Sequence, residues 1–444
     1  MQIQSSLSWT LSDWLYFLEN RHRTEVKLRL VNPKLVAKYL DVLDWQIPVI
    51  TVAGTNGKGS TVASLAAIYM ANGYNVGSFT SPHLISFNER ICINNNQITD
   101  KELCNAFHQI ENSRNGIEIT YFESSLLAAL LHFKNANLDL IILEVGVGGR
   151  LDATNIIDSD LAIITTIDID HEEYLGNTRE AIGSEKSGIM RTNKPCIFGD
   201  YNRPQSIDDY ANQIQAHIIS LGDDYSFTLE KGNLKLLIKE DKIKFWQSLN
   251  LLKMQGECQN YFTLPIPQIN SKAASMAIVA SVCLSDLLPV TYKNVTDAIT
   301  SVRLPGRLQM LDREVKILYD VSHNVQSVEL LADFIAKNRP SGKIHAVFSG
   351  LKDKDIAGLI KPLVGLVNFW YPAVLVSKRA SSKDILQEAL LQQTESAVSC
   401  YESPILAFQQ AMKHADAGDL IVIYGSFVLV GAIMESLKYE ACDV

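Results

Sequence analysis

At 444 residues, with 47% hydrophobic and 20% charged positions, the chain can bury a large core in two or three domains and is not a disordered polymer. No apolar run approaches the ~18 residues of a membrane helix and no signal-peptide order opens the chain, so a cytoplasmic protein with no membrane partner is expected. The net charge of -9 argues against nucleic acid as a partner, and any anionic ligand needs a local site. The seven cysteines, at 92, 104, 196, 258, 283, 400 and 442, show no paired spacing for a disulfide framework or a structural zinc site.

Trp9, Leu11, Trp14, Leu15 and Leu18 recur at helical intervals, predicting a first helix over 9–22. Val49 to Ala53 reads as a buried strand, and Val62, Leu65, Ala66, Ile68 and Tyr69 as one face of a helix. Between them lies Gly54-Thr55-Asn56-Gly57-Lys58-Gly59-Ser60. Strand, glycine turn and helix together make a phosphate loop: glycines let successive amides point at one anion, a lysine neutralises phosphate oxygens, and a hydroxyl is placed for Mg2+. The match departs from the usual loop at Val52, where its first glycine belongs, and at Gly59, which separates Lys58 from Ser60.

A second strand, Tyr74 to Phe79, runs into Thr80-Ser81-Pro82-His83-Leu84 and Phe87-Asn88-Glu89-Arg90. Polar chemistry beyond a strand's C-terminal end is where a doubly wound sheet binds ligands, although a plain connecting loop reads the same way. Helices follow at 99–113 and 123–136, then an apolar strand, Leu138 to Val145, that carries Glu144 near its end. A carboxylate there needs a cation or donor. Gly146 to Asn155 is a flexible turn, Leu161 to Thr166 another strand, and Asp170-His171 runs off its end. On the residues alone, Glu144 and His171 admit metal ligation and a structural role equally. A helix over 178–191 holds Lys186, and an antiparallel appendage is predicted over 200–265.

After an apolar helix at 272–286, Leu287-Leu288-Pro289 suggests a boundary, giving domains of 1–290 and 291–444. The second half restarts an α/β pattern, with strands near 315–319, 344–348, 370–376 and 420–424. Leu304 to Arg307 precede its first strand and Asp320-Val321-Ser322-His323-Asn324 follow it. The predicted class is α/β: a P-loop-containing, doubly wound N-terminal domain plus a smaller Rossmann-like C-terminal domain.

The ordered blocks Ala53–Ser60, Ser81–Leu84, Thr120–Glu123, Leu143–Asn155, Asp170-His171, Glu185–Gly188, Leu304–Arg307 and Asp320–Asn324 resemble the folylpolyglutamate synthases. The resemblance is strongest to the bifunctional dihydrofolate synthase type within the muramyl-peptide ligase superfamily, and it runs almost end to end. It implies an ATP-dependent ligase that makes an acyl phosphate on a pterin carboxylate and displaces phosphate with the amine of L-glutamate. Its acceptors would be dihydropteroate and reduced folates and its cofactors ATP and two Mg2+ ions; a monomer is expected.

By the same resemblance Thr55, Asn56, Gly57, Lys58, Gly59 and Ser60 hold the ATP phosphates, with Arg307 and Asp320 reaching the nucleotide from the second domain. Ser81, Glu144 and His171 resemble metal ligands. Lys186 matches a lysine that is carboxylated to meet the second metal, and His323 resembles a phosphate-contacting histidine. Thr120, Tyr121, Phe122, Glu123, Leu151, Asp152 and Ala153 match pterin-site segments. Lys58, Lys186 and His323 are thus the catalytic candidates, while Tyr121 and Phe122 read equally well as core. Three departures stand out: Lys272 in place of an asparagine, with Asn270 the substitute for an adenine contact; Val325-Gln326 where a proline is usual; and Arg29, Val31 and Asn32 near the N-terminus. A tail-extending folylpolyglutamate synthase, a muramyl-peptide ligase and a non-catalytic P-loop binder are the competing readings.

Overall fold

The computed structural model describes residues 8–21, 29–239, 261–394 and 398–437, so part of the predicted appendage and the cysteines at 258 and 442 lie outside the described residues. Two compact units emerge, one of residues 1–82 and 88–302, the other of 83–87 and 303–444.

The first unit is built on an eight-stranded sheet in the order β4-β3-β2-β5-β1-β6-β7-β8. In chain order these are β1 (Val49–Ala53), β2 (Val76–Phe79), β3 (Ile91–Ile93), β4 (Asn96–Gln97), β5 (Leu140–Glu144), β6 (Leu161–Ile164), β7 (Pro195–Phe198) and β8 (His217–Ser220). Every residue of β1 and β5 is buried, which explains why both read as unbroken apolar runs. β1 lies parallel between β5 and β6, with Val52 beside Glu144 and Ala53 beside Ile164. One rim of the sheet therefore carries the phosphate loop, the turn after Glu144 and the segment after Ile164 side by side.

The appendage differs from expectation. Residues Gln205–Ile214 form a helix and β8 pairs parallel to β7, extending the main sheet. Among the described residues of this stretch, only β9 (Tyr225–Glu230), β10 (Asn233–Ile238) and β11 (Tyr261–Pro265) make an antiparallel sheet. The boundary also falls later than 290. The helix Tyr292–Ser301 is in the first unit, because Thr291 N–H donates to Asn72 Oδ1 at 2.8 Å and Tyr74 O–H to Pro289 O at 2.9 Å, tying this stretch to the end of the phosphate-loop helix.

The second unit has a five-stranded sheet in the order β12-β13-β16-β14-β15, from β12 (Gln309–Leu311), β13 (Lys316–Tyr319), β14 (Ile344–Phe348), β15 (Phe369–Pro372) and β16 (Leu420–Tyr424). All but β12 run parallel. The segment 83–87, inserted from the first half of the chain, belongs to this unit: a Cβ on Gly431 would fall 2.0 Å from Leu84 O, so only a glycine allows that approach.

Candidate active site

The phosphate loop is fixed by the strand beside it. Thr165 O–H donates to Asn56 O at 2.6 Å, Asn56 N–H to Thr166 Oγ1 at 3.0 Å and Thr55 N–H to Thr166 O at 2.8 Å. Gly54 (φ +147°) has no room for a side chain, since a Cβ would lie 1.8 Å from Thr165 Oγ1, and Gly57 (φ +88°) turns the loop into the helix Lys58–Ala71. The Lys58 ammonium donates back to Gly54 O at 3.0 Å and Thr55 O at 3.3 Å, and Ser60 lies buried in the helix's first turn. Thr165 and Thr166 escaped the sequence reading. Their signal was a pair of hydroxyls ending an otherwise apolar strand.

Glu144, 4% exposed, accepts from Ser81 N–H at 3.2 Å. A Cβ on Gly59 would come within 3.7 Å of its Oε2, so Ser81, Glu144 and the start of the phosphate-loop helix converge. The Arg90 guanidinium is buried nearby and stands 5.4 Å from the Tyr121 ring. Burial pushes its pKa down, opposed by Tyr121 and then Glu144.

Lys58, Asp170, His171 and Lys186 line a single cleft with Gly54 and the Gly146–Gly148 turn. Lys186 ends the helix Arg179–Ser187. Gly149 lets the turn lie on that helix, because a Cβ there would meet Glu185 O at 2.9 Å and Lys186 Cα at 3.1 Å. Burial first, and then the Lys58 charge, lower the Lys186 amine to about 7, with Asp170 and Asp152 opposing. His171 (φ +53°) opens the short helix Glu172–Leu175, its N–H on Asp170 Oδ1 at 2.8 Å. Among the described residues no three His, Cys, Asp or Glu side chains stand together as a metal cluster. The candidate set of Ser81, Glu144, His171 and Lys186 contains only two of those types.

The residues of the expected acceptor block hydrogen-bond and pack within the chain as follows. Thr120 and Glu123 form a capping box for the helix Tyr121–Lys134, which therefore starts before the predicted 123. The signal was present in the sequence, as Thr-x-x-Glu ahead of an apolar run. Asp152 accepts four hydrogen bonds, from Gly146 N, Val147 N, Thr154 N and Thr154 Oγ1, at 2.7–3.1 Å. Its pKa is pushed up by burial against those donors. Ala153 is buried, Phe122 packs 5.6 Å from the Phe79 ring and against Gly146, and Tyr121 and Leu151 stay half-buried. Arg29 Nη2 and Asn32 Nδ2 both donate to Glu118 O, at 2.9 and 2.8 Å, holding the entry to that helix.

Lys272 pairs with Asp200 at 3.0 Å, and Asn270 Oδ1 caps the helix Ser271–Cys283 through Lys272 N and Ala273 N. The Asn270 side-chain oxygen is thus engaged at the start of this helix and the Lys272 ammonium in an ion pair.

In the second unit Asp320 Oδ2 accepts from Leu308 N–H at 2.8 Å, while Oδ1 accepts from Ser322 N–H at 2.9 Å and from Ser322 O–H. Burial raises its pKa, opposed by Ser322 and then Arg307. Arg307 lies 5.1 Å from the Phe427 ring and His323 5.8 Å from the same ring, so Arg307, Asp320 and His323 do gather at the end of β13. His323 Nδ1 is 2.9 Å from Val321 O. Asn324 and Ser327 close a capping box where a proline was missing, so the turn is braced by hydrogen bonds instead.

The Mur ligase middle domain matches residues 52–267 and the Mur ligase glutamate ligase domain residues 306–427. Over 425 residues the chain is 37% identical to the dihydrofolate synthase/folylpolyglutamate synthase of Escherichia coli (strain K12), spanning 96% of this chain and 95% of that one. Two solved structures superpose over 97% of this chain and 98% of their own. E. coli FolC in complex with DHPP and ADP gives a TM-score of 0.88 at 35% identity. A bifunctional folylpolyglutamate synthase/dihydrofolate synthase with Mn, AMPPNP and L-glutamate bound gives 0.86 at 36%. By the two domain matches and by identity along nearly its whole length, the chain belongs to the dihydrofolate synthase/folylpolyglutamate synthase family of Mur ligases.

Proposed function

We propose that the protein is an ATP- and divalent-metal-dependent ligase that joins L-glutamate to dihydropteroate and to reduced folates. The observation that carries this reading is the cleft in which Lys58, Asp170, His171 and Lys186 meet the phosphate loop. An acceptor carboxylate oxygen attacks the γ-phosphorus of ATP, ADP leaves, and an acyl phosphate forms. The amine of glutamate then attacks the acyl carbon, and phosphate departs carrying that carboxylate oxygen.

The chain's part is mainly positioning and charge neutralisation, as in-line phosphoryl transfer requires. Thr55 to Ser60 present amides and the Lys58 ammonium to the phosphates; Lys58 exchanges its two loop carbonyls for phosphate oxygens. Ser81 and Glu144 offer the hard oxygen ligands that Mg2+ prefers, and His171 with a carboxylated Lys186 would serve a second ion. Bound metal supplies Lewis-acid stabilisation of the transferring phosphoryl group. A lysine amine lowered to about 7 is neutral often enough to capture CO2. Arg307, Asp320 and His323 are read as the second unit's contribution to nucleotide and phosphate binding, with Asp320 acting through the turn it braces. The first unit is the ATP and pterin domain and the second the glutamate-ligase domain. The protein is read as a cytoplasmic monomer acting on small molecules without nucleic acid, in keeping with its net charge of -9.

Dihydropteroate labelled with 18O in its carboxylate tests the chemistry. Transfer of one label into the released phosphate is expected; phosphate free of label would rule out the acyl phosphate.

A further inference from the structure

Lys186 sits in the last turn of the helix Arg179–Ser187, and the last carbonyls of a helix have no amide of their own helix ahead of them to accept from. The turn after β5 supplies donors. Arg150 N–H donates to Glu185 O at 2.7 Å, and the Asn155 side-chain NH2 donates to both Gly188 O and Arg150 O, each at 3.0 Å. Lys186 therefore stands between two carbonyls that the turn has bonded.

The Asn155 amide has its third site filled as well, since Oδ1 accepts from Arg191 Nη2 at 2.9 Å. That pattern fixes the orientation of the amide: reversed, its oxygen would face two carbonyl oxygens and its NH2 a guanidinium. Turn and helix end also meet too closely for side chains. A Cβ on Gly188 would fall 2.4 Å from Arg150 Cβ, and one on Gly149 2.9 Å from Glu185 O.

An asparagine that bridges a loop and a helix is ordinarily a packing contact, but here both bridged segments reach the cleft. Gly146, Val147 and Gly148 of the same turn line it together with Lys186, which is 4% exposed. The phosphate loop on the other side of the cleft is braced separately, by Thr165 and Thr166.

We propose that Asn155 is a positioning residue: by bonding the turn and the helix end to each other, it fixes where the Lys186 amine stands in the cleft. The inference rests on the reading of Lys186 as part of a ligase's metal site. Without the Asn155 donors the helix end loses its tie to the cleft wall, while the phosphate loop keeps its own bonds.

Acetic anhydride labelling of the full chain, read by peptide mass spectrometry, tests this with Lys58 of the same cleft as internal reference. Lys186 should be acetylated roughly tenfold faster in Asn155→Ala than in the parent, with the Lys58 rate unchanged. In turnover kcat should fall roughly tenfold and the Mg2+ requirement should rise, with the KM for ATP unchanged. Asn155→Asp keeps an acceptor for Arg191 but has nothing to donate to the two carbonyls, so it should behave as Asn155→Ala does, and it carries the same comparison if the alanine variant does not fold. Parent-like labelling and kcat in Asn155→Asp would assign the role to the Arg191 contact and overturn the proposal. Equal acceleration of Lys58 and Lys186, the mark of general loosening, would overturn it too, as would labelling that does not change. Labelling reads the lysine without turnover, so a selective Lys186 effect in a protein whose parent failed to ligate would strike the functional reading alone.

Discussion

Both units end parallel strands in charged residues, but the charges are used differently. In the first unit Lys58, Asp170, His171 and Lys186 face a shared cleft, and Glu144 meets Ser81 beside the phosphate loop. In the second, Asp320 spends its carboxylate on Leu308 and Ser322, and Asn324 spends its amide on Ser327. Asp152 follows the second pattern inside the first unit, with four internal donors. The position of a polar residue at a strand end therefore does not separate chemistry from scaffold. What Asp152 and Asp320 have in common is that their carboxylates already accept several donors of the chain itself.

The largest effect should come from the cleft side. Lys58→Ala should lower ligation by roughly 10³-fold or more, since charge stabilisation of a transferring phosphoryl group is worth several kcal/mol. Near-normal turnover in a folded variant would remove the phosphate loop from the mechanism. Next, Glu144→Ala and His171→Ala should each shift the Mg2+ titration of activity to higher concentration, by roughly 10- to 100-fold. A titration curve identical to the parent's would move either residue to the scaffold side.

Asp152 offers the sharpest contrast. Asp152→Ala leaves the Gly146, Val147 and Thr154 amides without their acceptor, which should destabilise the fold by about 3 kcal/mol, visible in denaturant unfolding. If instead dihydropteroate ligation is lost with stability and residual ATP hydrolysis intact, Asp152 contacts the acceptor and the scaffold assignment fails.

The smallest effect is a pH dependence. Folded Lys186 releases its proton near 7, against an ordinary value of 10.5, so between those limits the unfolded chain holds more protons than the folded one. Stability attributable to this group should therefore rise with pH across that window and level off at its lowest below about 7, where both states hold the proton. Unfolding of the parent and of Lys186→Met, compared from pH 7 to 10, checks the sign: a parent that does not gain relative to the variant would mean the amine is not held in an apolar setting. Added bicarbonate should raise parent activity, with no response from the variant.

Much of this was legible in the sequence because the informative elements are buried and periodic. β1, β5, β6 and the second-unit strands announce themselves as apolar runs, and the glycines at 54 and 57 mark a turn that tolerates no side chain. Residues 205–220 misled because an amphipathic helix and a half-buried edge strand dilute the apolar run that marked the inner strands. The boundary near Pro289 misled because a proline marks a break in a helix, whereas unit membership depends on long-range bonds such as Thr291 to Asn72. Thr120 and Glu123 belong to a cap whose local pattern was available, and the commitment of Asp152 to its own loop appears only once backbone amides converge on it from Gly146 and Val147.

The central claim is ligation itself. Purified protein given ATP, Mg2+ and L-glutamate should consume ATP in proportion to dihydropteroate converted to dihydrofolate, and should also lengthen tetrahydrofolate. Tetrahydrofolate extension without any dihydrofolate would reduce the protein to a tail-extending enzyme, and ATP consumption independent of both glutamate and acceptor would contradict the account.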